Sequence, residues 1–299
     1  MNYAFINGKI LDGSRDMQVQ TGLCILVKNG KIHDIVSDTT DLSGYTKIDL
    51  KGHYILPGLI NMHVHLAGSG KPQKKQRDNE KLVNTIMSTS LTRAIAYRMV
   101  ADFAKDELLS GVTTIRTVGG LGDFDTRLRD EIKAGSKIGP RILASNQGIS
   151  VPGELKMPPE MVRAVCEKAH ANGYLVAAHV ESPEGVRVAL ENGVDSIEHG
   201  AKLTDEMVKL FKERGAFLCT TISPALPYAL FDRSITNTTK RSAELTDIDS
   251  ITGSIEKGKA ADLIVTAQNP LKDLKALRNL EMVISGGRLI EQPKIKKRK

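Results

Sequence analysis

The chain has 299 residues, of which 40% are hydrophobic and 26% charged, a balance typical of a soluble globular protein. It contains no apolar run long enough to cross a bilayer, and its polar start, residues 1–4, lacks the features of a secretory signal. Three scattered cysteines, Cys24, Cys166 and Cys219, fit a reducing compartment better than a disulfide framework. We therefore expect a cytoplasmic protein without a membrane partner.

The net charge of +7 is concentrated at the C-terminus, where residues 293–299 carry five positive charges. A basic tail can bind polyanions, but a frayed and solvated end is the commoner role of such a tail. No basic patch with interleaved aromatic residues supports a nucleic-acid site. We expect a small-molecule substrate and no nucleic-acid partner.

The two ends of the chain are both predicted to be rich in β-strands. In residues 1–56 short apolar runs alternate with turns, and the pairs Asn7-Gly8 and Asn29-Gly30 favour hairpins. A similar pattern returns near the C-terminus, in residues 261–266 and 282–290. We predict that residues 1–56 and 251–299 together build one small β-sandwich around a middle domain of residues 57–250.

The middle domain alternates strands and helices, which is typical of a parallel sheet. Strands are predicted at residues 59–66, 113–118, 141–145, 174–180, 195–199 and 217–222. Helices are predicted at about residues 81–109, 125–134, 159–171, 184–191 and 205–214.

The histidines are concentrated at the ends of these strands. His63 and His65 lie two residues apart in the first strand, so both imidazoles should project from one face and could form half of a divalent-metal site. His179 and His199 end two later strands, and strand C-termini converge on the mouth of an α/β barrel. The other three histidines, which we interpret as structural, are His33, His53 and His170.

With these histidines in place, the chain resembles the metal-dependent amidohydrolase superfamily, in the branch of imidazolonepropionase-like and Xaa-Pro dipeptidase-like enzymes. Six segments carry the resemblance, in family order and across nearly the whole chain. They are Leu56-Pro-Gly-Leu-Ile-Asn-Met-His-Val-His65, Gly111-Val-Thr-Thr-Ile-Arg116, Gly139-Pro-Arg-Ile-Leu-Ala-Ser145, Ala177-Ala-His-Val180, Gly193-Val-Asp-Ser-Ile-Glu-His-Gly200 and Gly253-Ser-Ile-Glu-Lys-Gly-Lys-Ala-Ala-Asp-Leu-Ile-Val265.

The resemblance implies a TIM-barrel-like (β/α) hydrolase domain of α/β class with one or two divalent ions, zinc being the expected metal. It implies that His63, His65, His179 and His199 bind the metal, which activates water for attack on an amide carbonyl. Tyr228 is a candidate catalytic residue that contacts the substrate carbonyl, or else a packing tyrosine. Arg116 could hold a substrate carboxylate, or else form a structural ion pair.

The chain is shorter than the resemblance requires. The segment from Pro57 through Asp232 has 176 residues and six predicted strands, whereas a complete barrel takes about 250 residues and eight strands. In the family, strand four supplies a lysine or glutamate that bridges two metals and strand eight supplies an aspartate, and neither segment is found here. We therefore predict an incomplete barrel with unpaired edges that favour a homo-oligomer.

Several acidic or basic residues lie near the two gaps. Glu154, Lys156, Asp247 and Asp249 are interpreted as loop or linker residues. Glu181 and Glu198, beside the metal histidines, are better candidates for improvised ligands, although neither is the family's ligand.

Three functional hypotheses follow from these observations. The first is a metal-dependent hydrolase that cleaves the C–N bond of a dipeptide or N-acyl amino acid. The second is a hydrolase of a cyclic amide such as an imidazolone. The third is a non-catalytic relic of the family. The chain could be short because of a natural deletion or an engineered shortening, or because the sequence omits segments that the molecule has.

Overall fold

In the computed structural model, which describes residues 2–67, 79–146, 148–149, 157–220 and 239–295, the chain divides into two units. One unit comprises residues 1–146 and 232–299, and the other comprises residues 147–231.

The strands are β1 (Asn2–Ile6), β2 (Lys9–Ile10), β3 (Leu23–Lys28), β4 (Lys31–Ser37), β5 (Thr46–Asp49), β6 (Tyr54–Pro57), β7 (Leu59–Val64), β8 (Val112–Thr117), β9 (Arg141–Leu143), β10 (Ala177–Val180), β11 (Ser196–His199), β12 (Phe217–Cys219), β13 (Leu263–Thr266), β14 (Leu280–Ser285) and β15 (Arg288–Glu291). The helices are α1 (Asn79–Met87), α2 (Ser90–Leu109), α3 (Phe124–Lys133), α4 (Pro159–His170), α5 (Pro183–Glu191), α6 (Asp205–Arg214) and α7 (Lys240–Leu245), with a 3-10 helix at Leu274–Arg278. None of the helices in these described residues combines the length and apolar character that a bilayer span requires.

The N-terminal and C-terminal strands of the first unit share a β-sheet. Its strand order is β15-β14-β13-β6-β2, and β6 pairs antiparallel with β13 so that Pro57 lies opposite Leu263. The other N-terminal strands form a second sheet in the order β4-β3-β1-β5. The two sheets contribute buried side chains to one apolar cluster, which includes Phe5 and Ile25 from the second sheet and Ile55 and Val265 from the first.

The two Asn-Gly pairs have different roles. Asn29-Gly30 connects β3 and β4, which pair antiparallel, and both residues adopt positive φ angles of 51° and 77°, as a tight hairpin turn requires. Asn7-Gly8 also turns the chain sharply, with φ 55° at Asn7, but it passes the chain from β1 in one sheet to β2 in the other. The hairpin prediction is therefore confirmed at Asn29-Gly30 and wrong at Asn7-Gly8, because Asn-Gly reports the turn and not the partner of the next strand.

The first unit also contains a parallel sheet in the order β7-β8-β9. Its apolar side chains pack with α2 and α3, in a cluster that contains Ile115, Tyr97 and Leu128. The single long helix predicted at residues 81–109 is two helices. The break is at Thr89, which is the N-cap residue of α2. The Thr89 side chain accepts the backbone N–H of Thr92, and the Thr92 side chain accepts the backbone N–H of Thr89. These two reciprocal bonds form a capping box, which starts a new helix.

The second unit is built on another parallel sheet, in the order β10-β11-β12. Val180 and Ile197 point from this sheet into a core formed with α4, α5 and α6, where Val186 and Phe211 are also buried. Prolines occur at the start of α4 and α5, and Gly215 in a left-handed conformation ends α6. These boundaries agree with the predicted helices to within a residue or two.

Helix α7 was not predicted from the sequence, which indicated a polar linker in this region. The helix has one buried apolar residue, Ala243, which packs with Ile60 of β7 and with Ile248. One buried apolar side chain in six residues leaves too little periodic apolar pattern for the helix to be recognised.

Candidate metal centre

His63 and His65 bring two ring nitrogens together at the end of β7. Their Nε2 atoms are 3.2 Å apart and their ring centroids are 5.0 Å apart, in an edge-to-face arrangement. His63 is partly buried and His65 is exposed. The pair therefore faces an accessible space, as ligands of an exchangeable ion or of a substrate-activating ion must.

The other ring nitrogen of His65 is held by the loop after β8. Its Nδ1 lies 3.2 Å from the carbonyl oxygen of Gly119, and because a carbonyl can only accept, Nδ1 must carry the proton. In the neutral ring this leaves the lone pair on Nε2, directed at His63. Metal-binding histidines are usually oriented by such a bond from the second nitrogen.

The separation of the two Nε2 atoms fits a shared cation. Zinc–nitrogen bonds of 2.0–2.1 Å in a tetrahedral arrangement place two ligand nitrogens about 3.3 Å apart. The observed 3.2 Å requires almost no rearrangement. The two histidines can therefore serve as two of the ligands of one divalent ion.

His179 and His199 form a second pair, within the second unit. Their ring centroids are 4.2 Å apart. Regular strand alternation would place His199 on the same face as Ile197, toward the helices, because His199 lies in register with the buried Val180. Instead His199 has a φ of 68°, a left-handed conformation that breaks the alternation and turns its ring toward His179.

Glu181 adds a carboxylate to this second pair. The nitrogen and oxygen donors of His179, Glu181 and His199 all lie within 4.8 Å of one another. The Nε2 atom of His179 is 3.7 Å from Oε1 of Glu181, and both side chains are about 70% exposed, at 68% and 70%. This group has the donor types of a two-histidine, one-carboxylate metal site.

Glu198, the other improvised candidate, lies in a different environment. It is buried on β11, in register with Cys219 of β12, and accepts a short hydrogen bond from the Ser196 hydroxyl.

Arg116 and Asn61 are both engaged beside the first histidine pair. Nε of Arg116 donates to the Met62 carbonyl at 2.7 Å, which fixes the guanidinium against β7. The side-chain oxygen of Asn61 accepts the backbone N–H of His63 at 3.2 Å, and its amide donates to Glu107 at 3.5 Å. Burial raises the pKa of the Glu107 carboxyl above its usual value, although the Asn61 bond acts in the opposite direction.

Asp125 is a buried carboxylate near His65 that sequence reasoning missed. It is 1% exposed in the first turn of α3, and its Oδ2 atom has no hydrogen-bond partner among the described residues. Its carboxylate packs so closely against Gly120 that a Cβ there would lie 2.6 Å from Oδ2. Burial raises the pKa of Asp125, while hydrogen bonds from Thr117 and from the Asn146 backbone lower it. Its only sequence signal was an acidic residue at a helix start, which is common without any function.

The remaining predicted residues fall into two groups. Tyr228, Glu154 and Lys156 lie outside the described residues. Asp247 and Asp249 follow α7, with Asp247 exposed. Of the histidines interpreted as structural, His170 lies at the end of α4, with its Nε2 atom 2.8 Å from Asp195.

Comparison with known proteins places these residues in a family context. The model of the amidohydrolase family matches residues 54–156, the segment that carries His63 and His65. An imidazolonepropionase of Klebsiella pneumoniae is 27% identical over 264 residues, which cover 69% of this chain and 64% of that protein. A dihydroorotase of Trichlorobacter lovleyi is 26% identical over 216 residues, which cover 68% of this chain and 48% of that protein. The chain thus spans less than two thirds of the length of these curated relatives.

A solved structure extends the likeness to nearly the whole chain. A Bifidobacterium longum protein, provisionally described as a prolidase, superposes with a TM-score of 0.81 at 26% identity, over 99% of this chain and 96% of that one. The matched family model and the solved structure agree with each other. The chain is similar to the amidohydrolase family over residues 54–156 and shares the fold of that solved structure over nearly its whole length.

Proposed function

We propose that this protein is a metal-dependent hydrolase that cleaves the C–N bond of a dipeptide or N-acyl amino acid. The observation that carries the proposal is the His63–His65 pair, whose Nε2 atoms lie 3.2 Å apart while Gly119 holds the other nitrogen of His65. Two imidazoles in this arrangement are suited to binding a cation. The prolidase-like fold supports a dipeptide or a similar substrate.

We propose His63, His65, His179 and His199 as the metal ligands, binding one or two zinc ions. Each pair is already assembled within its own unit. A bound divalent ion would lower the pKa of water to about 7 and polarise the amide carbonyl.

Further roles are proposed for two residues of this chain. Gly119 keeps His65 in the tautomer whose Nε2 can bind the ion. We propose that Arg116, whose Nε donates to the Met62 carbonyl, contacts a carboxylate of the substrate. Tyr228 is proposed to contact the substrate carbonyl.

A cyclic amide is the second candidate substrate. It is supported by the curated relatives, which are named imidazolonepropionase and dihydroorotase. The two candidates differ in the shape of the substrate and not in the chemistry of the bond, so a substrate panel distinguishes them.

The third candidate, a non-catalytic relic, is supported by the alignment to the Klebsiella protein. The alignment is 264 positions long but includes only 69% of this chain, which is fewer residues than 264. The remaining positions are gaps in this chain, so the relative has internal segments with no counterpart here. This agrees with the predicted lack of the segments that supply the strand-four and strand-eight ligands.

We further propose a cytoplasmic location and a homo-oligomer.

Metal analysis combined with a substrate panel tests the proposal. The purified protein should contain about one equivalent or more of zinc and hydrolyse at least one dipeptide, N-acyl amino acid or cyclic amide, and a chelator should abolish the turnover. The variant His63→Asn/His65→Asn should lose activity, whereas His33→Asn, which changes an exposed histidine of β4, should not. Stoichiometric zinc without turnover on any substrate would instead establish the relic.

A further inference from the structure

We propose that Glu181 is a metal ligand and that it completes, with His179 and His199, a three-donor cation site contained in the second unit. The inference rests on the proposed function in one respect, that the two histidines bind metal. It goes further in assigning the third protein ligand to a residue that follows the end of β10. It also makes the site independent of His63 and His65.

The positions of the three residues on the sheet explain how the donors meet. His179 and Glu181 are two residues apart, so they project from the same side of the chain, opposite Val180, which points into the helix-covered core. His199 lies in register with Val180, between them on the neighbouring strand. Because its backbone is left-handed, with φ 68°, its ring reaches the side that His179 and Glu181 share.

The left-handed backbone at His199 is an independent sign of function. A non-glycine residue rarely adopts this conformation, because its Cβ atom then crowds the backbone. Gly200 follows with φ 81°, and its N–H donates to the Val180 carbonyl at 2.9 Å, so the surrounding structure holds the turn in place. Strained backbone of this kind is concentrated at ligand and catalytic sites.

The distances and exposure allow a cation to be bound with small movements. The three donors lie within 4.8 Å of one another, and ligands of one zinc ion lie about 3.3 Å apart, so each needs to move by roughly 1 Å or less toward a common centre. The Glu181 side chain is 70% exposed and can make this movement by rotation. Three protein donors leave a coordination position open, which is the arrangement of catalytic and not of structural zinc sites.

The charge of the group also favours a divalent ion. Two neutral imidazoles and one carboxylate bind zinc with one unit of compensating negative charge. The carboxylate nearest to Glu181 along the chain is that of Glu184 on α5, which is 3.6 Å from the guanidinium of Arg187 and so has its own partner. Glu184 therefore provides a matched control, since it is an exposed glutamate three residues away that is not a member of the donor group.

The test measures metal binding without substrate. In the full-length His63→Asn/His65→Asn protein, which isolates the second site, the dissociation constant for Zn²⁺ is measured by competition with a chromophoric chelator. Co²⁺ is then used to record the visible absorption of the site. Glu181→Gln should weaken Zn²⁺ binding by about tenfold or more and change the Co²⁺ spectrum, whereas Glu184→Gln should change neither. Circular dichroism confirms that each variant is folded, and repeating the substitutions with His63 and His65 intact covers the case in which the double variant does not fold.

Each other outcome overturns the inference. If Glu181→Gln and Glu184→Gln have the same affinity, the carboxylate is not a ligand. If Glu181→Gln weakens binding without altering the Co²⁺ absorption, Glu181 acts only through its charge. If the double variant and the wild-type protein both fail to bind Zn²⁺, no site exists. Because substrate is absent from all of these measurements, a protein that binds Zn²⁺ through Glu181 but hydrolyses nothing refutes the proposed activity and not this site.

Discussion

The ion pair between Arg141 and Asp262 should be a major contributor to the stability of the first unit. Nη2 of Arg141, on β9, donates to Oδ2 of Asp262 at 3.0 Å, although the two residues are 121 positions apart in sequence. The other oxygen of Asp262 accepts the backbone N–H of Gly286 at 2.7 Å. The Asp262 side chain is 1% exposed and that of Arg141 33% exposed, so only the carboxylate is fully desolvated.

The substitution Asp262→Ala removes both of these hydrogen bonds. Bonds to a charged group contribute about 1.5–3 kcal/mol each, and we take the lower value for the Arg141 bond because its partly exposed guanidinium can be rehydrated. The loss of unfolding free energy should therefore be about 3–4.5 kcal/mol. The control Asp16→Ala, at an exposed aspartate, should lie within about 0.5 kcal/mol of the wild type.

Urea unfolding followed by circular dichroism measures these differences, and a double-mutant cycle with Arg141→Met isolates the pair. We expect a coupling energy of about 1 kcal/mol or more, since the partners contact directly. The reasoning is refuted if Asp262→Ala unfolds at the urea concentration of the control. It is also refuted if the two substitutions are additive, because the contact would then contribute nothing.

Three further predictions concern residues of the first unit. Burial raises the pKa of Asp125, so above about pH 4 the folded state keeps a proton that the unfolded state has released. The unfolding free energy of the wild type should therefore fall relative to that of Asp125→Asn as pH rises from about 4, by at most 1.4 kcal/mol per pH unit. A difference in Tm between the two proteins that does not vary with pH would contradict this. Thr89→Ala should cost about 1 kcal/mol by removing the cap of α2, measured by urea unfolding, and no change would show that the helix starts independently of the cap. Gly119→Ala should weaken Zn²⁺ binding in chelator competition, because φ is 138° and the new Cβ would lie 3.4 Å from the His65 ring, and unchanged affinity would mean that the carbonyl does not orient the ring.

Much of the fold could be predicted from the sequence because its local signals agree with its tertiary structure. The helices of the second unit have periodic apolar residues, with proline at the start of α4 and α5 and glycine at the end of α6, and the structure follows them closely. The break at Thr89 was missed, since a threonine pair within a long polar helix is a weak signal until the side-chain bonds are seen. The chain path at Asn7-Gly8 was also missed, because the partner of β2 is β6, more than forty residues away.

The sequence indicated which residue types form the candidate site, but it did not indicate the contacts that hold them in place. The spacing of His63 and His65 implies a shared face, and their nitrogens do meet. The left-handed turn at His199 could not be predicted, because strand alternation alone would direct this residue toward the helices. The buried Asp125 was missed for a different reason: burial depends on packing against Gly120 and Thr117, which the local sequence around a helix start does not encode.

The antiparallel pairing of β6 with β13 has a consequence for the order of folding during synthesis. Ile55 lies opposite Val265, so β6 obtains this neighbour only after some two hundred further residues have left the ribosome. Until then the nascent chain presents an open apolar strand edge, to which chaperones or a neighbouring nascent chain can bind. The parallel strands β10, β11 and β12 pair with one another within residues 177–219, and we expect translation to complete them first.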